Sequence, residues 1–314
     1  MAATRSLQRC RHLLCALASP FSGLRILLSD SFQMPLLPIQ PLRLFRRPLQ
    51  YLPLSRTVEM EIMAPFALLL TRLKSPNSPP FAETWWDFEG PFKPLHQMNP
   101  TRISFIRSAL CRHFRKDPFC ARPFEGLKVI DVGCGGGILS EPLARMGASV
   151  TGIDAVEKNI NIARIHAESD PLTSSIEYRC TTAEQLVKEN KKFDAVIALE
   201  VIEHVADPSE FCKSLAALTA PNGATVISSI SRTMRAFATA IVAAEYLLRW
   251  LPKGTHDWSS FLTPEELVLI LQRTSISVKE MAGISYNPVT GEWSLSDDIG
   301  VNFIAYGAKE GDVQ

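Results

Sequence analysis

The sequence lacks the cysteine pattern of a disulfide-stapled protein. Its 314 residues include seven cysteines, but no two of them form a Cys-x-x-Cys pair and their spacing is irregular. A disulfide framework requires paired cysteines at regular spacings. The cysteines therefore indicate a reducing compartment, where they serve as small core residues.

Long apolar runs are also missing. A membrane-spanning helix needs about 20 consecutive apolar residues, whereas the longest candidates are residues 64–70 and 236–251, and Glu245 and Arg249 interrupt the second of these. The sequence therefore predicts peripheral membrane contact at most.

Acidic residues are nearly absent from the first 58 positions, where Asp30 is the single acid. The same stretch contains many arginines among serines and leucines: Arg5, Arg9, Arg11, Arg25, Arg43, Arg46, Arg47 and Arg56. This composition is typical of an organellar transit peptide. A disordered basic tail that binds nucleic acid is the alternative, and a secretory signal is disfavoured because arginines interrupt its apolar stretches. Residues 1–80 are also rich in proline, so they are expected to be a presequence followed by a poorly ordered extension.

The most informative stretch is Val-Ile-Asp-Val-Gly-Cys-Gly-Gly-Gly at 129–137. β-Branched residues that end in a glycine cluster predict a buried strand followed by a tight turn, and residues 138–146 then predict a helix. Glycine lets the backbone approach a ligand closely. The strand, turn and helix together predict a nucleotide site.

The third glycine of a dinucleotide site is missing here. That fingerprint is G-x-G-x-x-G, whereas Gly133, Gly135 and Gly137 give G-x-G-x-G and Ile138 stands where the third glycine would be. No Lys-Ser or Lys-Thr pair follows, which excludes a P-loop. A second predicted strand, 148–153, ends at Asp154, whose carboxylate would accept hydrogen bonds from ribose hydroxyls. This pairing resembles the class I S-adenosylmethionine-dependent methyltransferases, with an ordinary strand-to-helix connection as the alternative.

Strand and helix patterns alternate five times along the chain. The predicted strands are 129–132, 148–153, 176–180, 193–199 and 224–230. This order predicts an α/β fold with a doubly wound parallel sheet, whose ligands bind at the carboxyl ends of the strands. The methyltransferase resemblance implies a seven-stranded sheet, mostly parallel, with an antiparallel C-terminal strand.

Two features precede the first predicted strand. The adjacent tryptophans at 85 and 86 indicate packing. An Asn-Pro turn at 99–100 then predicts a helix over 102–114. Arg102 would lie at the start of that helix, against the macrodipole, which indicates an anionic partner. A solvated arginine is the alternative.

Glu200, Glu203 and His204 are the candidate catalytic residues. If the chain turns helical after the fourth strand, positions i, i+3 and i+4 share one face and present two carboxylates and an imidazole. Such ligands suit Mg²⁺, Mn²⁺ or Zn²⁺, and a cation there could hold two phenolic oxygens and lower the pKa of one. Without a metal, His204 could act as the base, and His256 is a second candidate. Glu-His-Val followed by Asp-Pro is also common in methyltransferases that need no metal.

An apolar stripe at 236–250 ends in Arg249 and Trp250. Such a stripe is typical of a core helix, and its ends also suit a helix at a membrane surface.

Several motifs together resemble the O-methyltransferase family of ubiquinone biosynthesis. The match covers residues 81–308, and the motifs that carry it are Trp-Trp-Asp at 85–87, Pro-Leu-His at 94–96, 99–102, 131–139, 200–205, Pro-Lys-Gly-Thr-His at 252–256 and Tyr-Asn-Pro at 286–288. The resemblance implies a methyltransferase domain at 81–310 that methylates polyprenylated catechols in mitochondria. Two positions depart from the family pattern, namely Asn222 in the turn before the fifth strand and Ser231 after that strand.

The resemblance also implies site residues, cofactors and partners. The implied contacts with S-adenosylmethionine are Arg102, Gly133, Asp154 and Leu199, with the donor carboxylate as the anionic partner of Arg102. The implied ligands of a divalent metal, expected to be Mg²⁺, are Glu200, Glu203 and His204. The expected catalytic residues are His204 and Glu203. The implied partners are a lipid-tailed catechol, other enzymes of the ubiquinone pathway and the matrix face of the inner membrane, without nucleic acid. A methyltransferase of soluble catechols and a non-catalytic scaffold remain alternatives.

Overall fold

The computed structural model of the chain describes residues 84–232, 262–287 and 290–311. The strands of this part are β1 (Lys128–Val132), β2 (Ser149–Asp154), β3 (Glu177–Cys180), β4 (Phe193–Leu199), β5 (Thr219–Ile230), β6 (Ile276–Asn287), β7 (Glu292–Ser296) and β8 (Asn302–Lys309). The helices are α1 (Lys93–Phe114), α2 (Ser140–Arg145), α3 (Glu157–Ala167), α4 (Ala183–Lys188), α5 (Pro208–Leu218) and α6 (Pro264–Arg273), with a 3-10 turn at Ile202–His204.

All eight strands form one sheet in the order β3-β2-β1-β4-β5-β8-β6-β7. The pairs from β3 to β5 are parallel, and the pairs of β8 with β5, β8 with β6 and β6 with β7 are antiparallel. This confirms the doubly wound, mostly parallel fold with an antiparallel C-terminal end. The sheet has one strand more than the seven expected, because β7 pairs with β6 at the edge.

The sheet separates two apolar layers. Val129 of β1 belongs to the layer under α1, α2 and α3, whereas Ile130 and Val132 belong to the layer under α4, α5 and α6. Strands buried on both faces read as continuous apolar runs, which is why β1 and β4 were visible in the sequence.

Helix caps predicted from the sequence are present. Asp207 Oδ1 accepts the backbone N–H groups of Ser209 at 2.8 Å and Glu210 at 3.1 Å, at the start of α5. Thr263 and Thr182 each form a capping box, at the starts of α6 and α4. These side chains accept hydrogen bonds from backbone donors that a helix start leaves without partners.

The expected start of the first helix is wrong. Helix α1 begins at Lys93, runs through Pro100 and ends at Phe114, so Arg102 lies in its interior and the macrodipole argument for Arg102 does not hold. An interior proline costs about 3 kcal/mol. Burial of Met98, Phe105 and other side chains on one face of α1 outweighs this, since each such side chain contributes about 1.5–3 kcal/mol.

Strand β5 also begins earlier than predicted, at Thr219. Its register with β4 shifts between the pairs Phe193–Thr219 and Ala195–Ala224, so the residues between them form a bulge. Asn222 lies in this bulge with a φ of 58°. Asparagine tolerates this left-handed geometry better than most residues, which explains its acceptance at this position.

Several predictions concern residues outside the described part of the chain. These are the presequence and extension, the apolar stripe at 236–250, the motif at 252–256 and the candidate base His256. Within the described residues, no helix has the length and apolar character needed to cross a bilayer.

Candidate functional site

A cavity of about 690 Å³ opens at the carboxyl ends of β1, β2 and β4. The four predicted donor contacts, Arg102, Gly133, Asp154 and Leu199, all line it. They are far apart in sequence, but parallel strands bring their carboxyl ends to one edge of the sheet. The structure therefore gathers the predicted donor set in one place.

The glycine turn after β1 needs glycine for steric reasons. Gly133, Gly135 and Gly137 have φ values of 75°, 54° and 88°, which side-chain-bearing residues rarely adopt. A Cβ atom on Gly137 would lie 2.4 Å from the hydroxyl oxygen of Tyr178, and one on Gly133 would lie 2.4 Å from Val201. Any larger residue at these positions would therefore clash with its neighbours, so the turn beside the cavity requires glycine.

The carboxylate of Asp154 is held on both oxygens. Its Oδ2 accepts the backbone N–H of Gly135 at 3.0 Å. Its Oδ1 accepts the backbone N–H of Val156 at 2.8 Å and the Nδ2 of Asn159 at 3.2 Å. An acid at the tip of the second strand, oriented in this way, is suited to bind ribose hydroxyls.

Asp131 contributes a second carboxyl to the cavity. It is 2 % exposed, and Ser140 Oγ donates to its Oδ2 at 2.6 Å. Burial raises the pKa of Asp131 to about 6, the charge of Asp154 adds to this effect, and the Ser140 hydrogen bond and Arg102 oppose it. Its charge, which faces the cavity, therefore changes close to neutral pH.

Arg102 and Glu200 form a buried ion pair. The distance from Arg102 Nη2 to Glu200 Oε1 is 3.2 Å, and the two side chains are 7 % and 8 % exposed. Ser228 Oγ donates to the same Glu200 oxygen at 2.7 Å. Burial lowers the pKa of Arg102, and the charge of Glu200 opposes that shift. Among the described residues Arg102 Nε has no hydrogen-bond partner, so it can donate to a further anion.

The chain does not turn into an α-helix after β4. Glu200 adopts a φ of 57°, which costs roughly 1–3 kcal/mol for a residue with a side chain, and a 3-10 turn follows at Ile202–His204. Glu203 is 6 % exposed, and Ser229 Oγ donates to its Oε2 at 3.1 Å. Burial, followed by the charge of Glu200, raises the pKa of Glu203 well above its usual range.

The predicted three-ligand metal site is not assembled. Glu200 Oε2 and Glu203 Oε1 are buried without hydrogen-bond partners in the described part of the chain, so these oxygens could serve as two ligands of a hard cation. His204 is exposed instead. No group of three His, Cys, Asp or Glu side chains in the described residues is arranged to hold a metal. The expectation of one shared helical face is wrong because the turn is 3-10 and excludes Glu200.

His204 nevertheless lines the donor cavity together with Glu200. Its backbone N–H donates to Val201 at 2.9 Å, which closes the 3-10 turn. His204 is thus exposed at the border of the cavity.

Several residues that line the cavity were not predicted as site residues, among them Trp85, Asn99 and Asn159. Asn99 lies three positions before Arg102 on α1, and its Nδ2 donates to the Ile138 carbonyl at 2.9 Å. The i, i+3 spacing from Arg102 was a usable signal for Asn99. The paired tryptophans were assigned to packing and used as a family motif, but not as site residues, and nothing in the sequence singles out Asn159.

Sequence comparisons agree with this geometry. A family model described as "Methyltransferase domain" matches residues 130–227. The mitochondrial ubiquinone biosynthesis O-methyltransferase of Arabidopsis thaliana is 73% identical over 232 residues, which are 74% of this chain and 72% of that protein. The ubiquinone biosynthesis O-methyltransferase of Bartonella tribocorum is 48% identical over 223 residues, which are 71% of this chain and 90% of that protein.

Among solved structures, the magnesium protoporphyrin IX methyltransferase from Synechocystis with bound SAH has a TM-score of 0.53 and 20% sequence identity. The match covers 73% of this chain and 93% of that one. At this identity the likeness concerns the fold alone.

Proposed function

The chain belongs to the family of ubiquinone biosynthesis O-methyltransferases, and from this premise we propose its substrate and the roles of its site residues. It is an enzyme that transfers a methyl group from S-adenosylmethionine to oxygen. We propose that its acceptors are polyprenylated catechols, namely a polyprenyl dihydroxybenzoate and a demethylubiquinol.

One observation carries this proposal: a single cavity contains the glycine turn, the oriented Asp154 carboxylate and the buried Arg102–Glu200 pair. A sulfonium donor makes methyl transfer favourable, so the protein mainly has to position the two reactants and remove a proton from the acceptor. The cavity offers donor contacts on the β1 and β2 side and titratable groups after β4.

The donor contacts divide by chemistry. The backbone of Gly133 would lie directly against the donor, Asp154 would accept hydrogen bonds from its ribose hydroxyls, and Leu199 would give an apolar contact. Arg102 Nε would donate to the donor carboxylate, because this N–H has no partner within the described residues.

His204 is proposed as the base that takes the phenolic proton. It is exposed at the border of the cavity, and histidine is the side chain that most often transfers protons in general base catalysis. Glu203 is proposed as the second catalytic residue, because its buried carboxyl is held by the Ser229 hydroxyl and lies within the influence of the Glu200 charge.

A divalent cation, expected to be Mg²⁺, remains a proposal supported by the two unpartnered oxygens of Glu200 and Glu203. When bound, such a cation would lower the pKa of the phenolic hydroxyl. Activity that persists in excess chelator, with metal-free protein verified by elemental analysis, would remove this role.

The proposed location is supported by the Arabidopsis relative, whose name places that protein in mitochondria. We propose that this chain is also mitochondrial, with residues 1–80 as presequence and extension and 81–310 as the methyltransferase domain. We further propose peripheral contact with the matrix face of the inner membrane and association with other enzymes of the pathway. Liposome binding before and after deletion of 236–250 tests the membrane contact, and unchanged binding would contradict it.

The substrate proposal is tested with the purified full chain and two acceptors, a catechol with a short prenyl tail and the same catechol without it. We expect kcat/KM to be at least ~10-fold higher for the prenylated acceptor, since each buried methylene contributes about 0.8 kcal/mol. Equal values would favour the enzyme of soluble catechols. Absence of donor binding in calorimetry would favour the scaffold.

The role of His204 is tested by His204→Gln. This variant should lower kcat and remove a pH-dependent limb from the kcat profile, while the donor Kd stays unchanged. His166→Gln is a matched control, because His166 lies on α3 and does not line the cavity. An unchanged kcat profile in His204→Gln would exclude the proposed base.

A further inference from the structure

Residues 84–92 form a segment, here called the tryptophan strap, that lies against the glycine turn. The Trp85 ring stacks on Phe92 with ring centres 3.8 Å apart and planes 11° from parallel. Trp85 also lies so close to Gly135 and Gly136 that a Cβ on either glycine would be 2.4 Å from it. The ring therefore covers the turn that borders the donor cavity.

A chain of two hydrogen bonds connects the strap to the proposed ribose acid. Trp85 Nε1 donates to Asn159 Oδ1 at 3.0 Å, and Asn159 Nδ2 donates to Asp154 Oδ1 at 3.2 Å. The indole nitrogen can only donate and the carboxylate can only accept. These partners fix the orientation of the Asn159 amide, whose oxygen must face Trp85 and whose nitrogen must face Asp154.

The bonds leave the two oxygens of Asp154 in different states. Oδ1 accepts from Val156 and Asn159, whereas Oδ2 accepts from Gly135. An ionised carboxylate has about four acceptor positions, two on each oxygen. Oδ2 thus retains an acceptor position, and the direction of that position depends on how firmly Oδ1 is held.

We propose that Trp85 is a positioning residue for the methyl donor, acting through Asn159 to hold Asp154 so that Oδ2 accepts from a ribose hydroxyl. This inference rests on the proposed function, because it assumes a donor with a ribose in the cavity. Trp85 influences both oxygens of the acid: Oδ1 through Asn159, and Oδ2 by covering Gly135.

Trp86 provides an internal comparison. It lies next to Trp85 in the strap, and its Nε1 donates to the Gly136 carbonyl at 2.9 Å. Its ring stacks on His166 with ring centres 3.5 Å apart. Each tryptophan therefore joins the strap to the domain by one indole hydrogen bond. The Trp85 ring stacks within the strap, on Phe92, whereas the Trp86 ring stacks outside it, on His166. The hydrogen bond of Trp86 ends at Gly136 and does not lead to Asp154.

The test uses Trp85→Phe, Asn159→Ala, the double variant and the control Trp86→Phe in the full chain. Phenylalanine at 85 keeps a ring over the glycines and loses the N–H. We expect Trp85→Phe to weaken S-adenosylhomocysteine binding in calorimetry by ~5-fold to 10-fold, the size expected for one hydrogen bond. The donor KM should rise in parallel, with kcat at saturating donor unchanged.

The double variant should bind no more weakly than Asn159→Ala alone, because both substitutions break the same chain. For an analogue without the 2′ and 3′ hydroxyls, wild type and Trp85→Phe should bind equally. Trp86→Phe should lower the melting temperature and change the donor Kd less than ~2-fold, since its bond is of the same kind but does not reach the acid.

The proposal is overturned if the losses of Trp85→Phe and Asn159→Ala multiply, if Trp86→Phe weakens donor binding as much as Trp85→Phe, or if the dideoxy analogue shows the same loss. Wild-type binding of S-adenosylhomocysteine is the separate readout for the proposed function. Its absence would refute donor binding itself, whereas normal wild-type binding with an unaffected Trp85→Phe variant would refute the positioning role alone.

Discussion

Replacing Asp131 with asparagine is expected to stabilise the protein at neutral pH. The carboxyl is 2 % exposed, and burial raises its pKa from 3.8 to about 6. At about 1.36 kcal/mol per pKa unit, the difference corresponds to roughly 3 kcal/mol. This is the free energy by which burial disfavours the charged folded form, and asparagine keeps an oxygen that can accept the Ser140 hydroxyl.

The sign of the pH dependence follows from the direction of the shift. The folded-state pKa of Asp131 lies above the unfolded value, so the folded protein binds the proton more tightly. The free-energy cost of burying the ionised carboxylate is absent below the pKa of Asp131 in the unfolded state. It grows as pH rises and is complete above the pKa in the folded state. The stability gain of Asp131→Asn should therefore be about 1.5 kcal/mol near pH 5 and about 3 kcal/mol from pH 7 upward.

Urea unfolding of both proteins from pH 5 to pH 8 measures this difference. Ser140→Ala is the matched variant, because it removes the hydrogen bond that lowers the pKa of Asp131. Ser140→Ala should therefore move the pH range in which stability changes to higher pH. A stability difference that does not vary with pH, or an Asp131→Asn variant less stable than wild type at pH 8, would refute the reasoning. Asp131→Asn should also bind the cationic donor more weakly, which would be a gain of stability at the cost of function.

Three further predictions concern packing and backbone geometry. Gly137→Ala should lower the free energy of unfolding, measured in urea, by ~1–3 kcal/mol because of the positive φ at this position. Adding Tyr178→Phe should restore part of the lost stability, because it removes the hydroxyl oxygen that lies 2.4 Å from the new Cβ. Arg102→Ala should cost ~3–5 kcal/mol because it leaves Glu200 buried without its partner, with Arg102→Lys retaining part of the stability. Asn222→Val should lower the melting temperature and Asn222→Gly should not, since only glycine avoids the steric cost of a φ of 58°.

The parts of the fold that could be predicted are those with local or periodic signals. Residues 193–199 were predicted as a strand and form β4 without any change of bounds, because burial on both faces produces an uninterrupted apolar run. Asp207 and Thr263 were predicted as caps, because the cap and the backbone donors that it accepts are close in sequence. The prediction for helix α1 began too late, because the sequence around Pro100 indicated a turn. The apolar contacts that outweigh the proline come from distant elements.

The same distinction between local signals and long-range contacts applies to the site. Sheet topology explains why Gly133, Asp154 and Leu199 meet, since each follows or ends a parallel strand. The predicted face of Glu200, Glu203 and His204 failed, because the positive φ of Glu200 leaves no mark in the sequence. The link from Trp85 to Asn159 spans 74 residues, and a contact of that range depends on the assembled fold.

Strand β8 has a consequence for the order in which the protein can fold. It is the last strand of the described chain, yet it lies inside the sheet between β5 and β6, which are 12 residues long each. Until residues 302–309 are available, both of these strands present open edges that other chains can pair with. A chain still leaving the ribosome, or entering an organelle N-terminus first, cannot close this sheet. The protein is therefore expected to depend on protection from aggregation until residues 302–309 can pair with both strands.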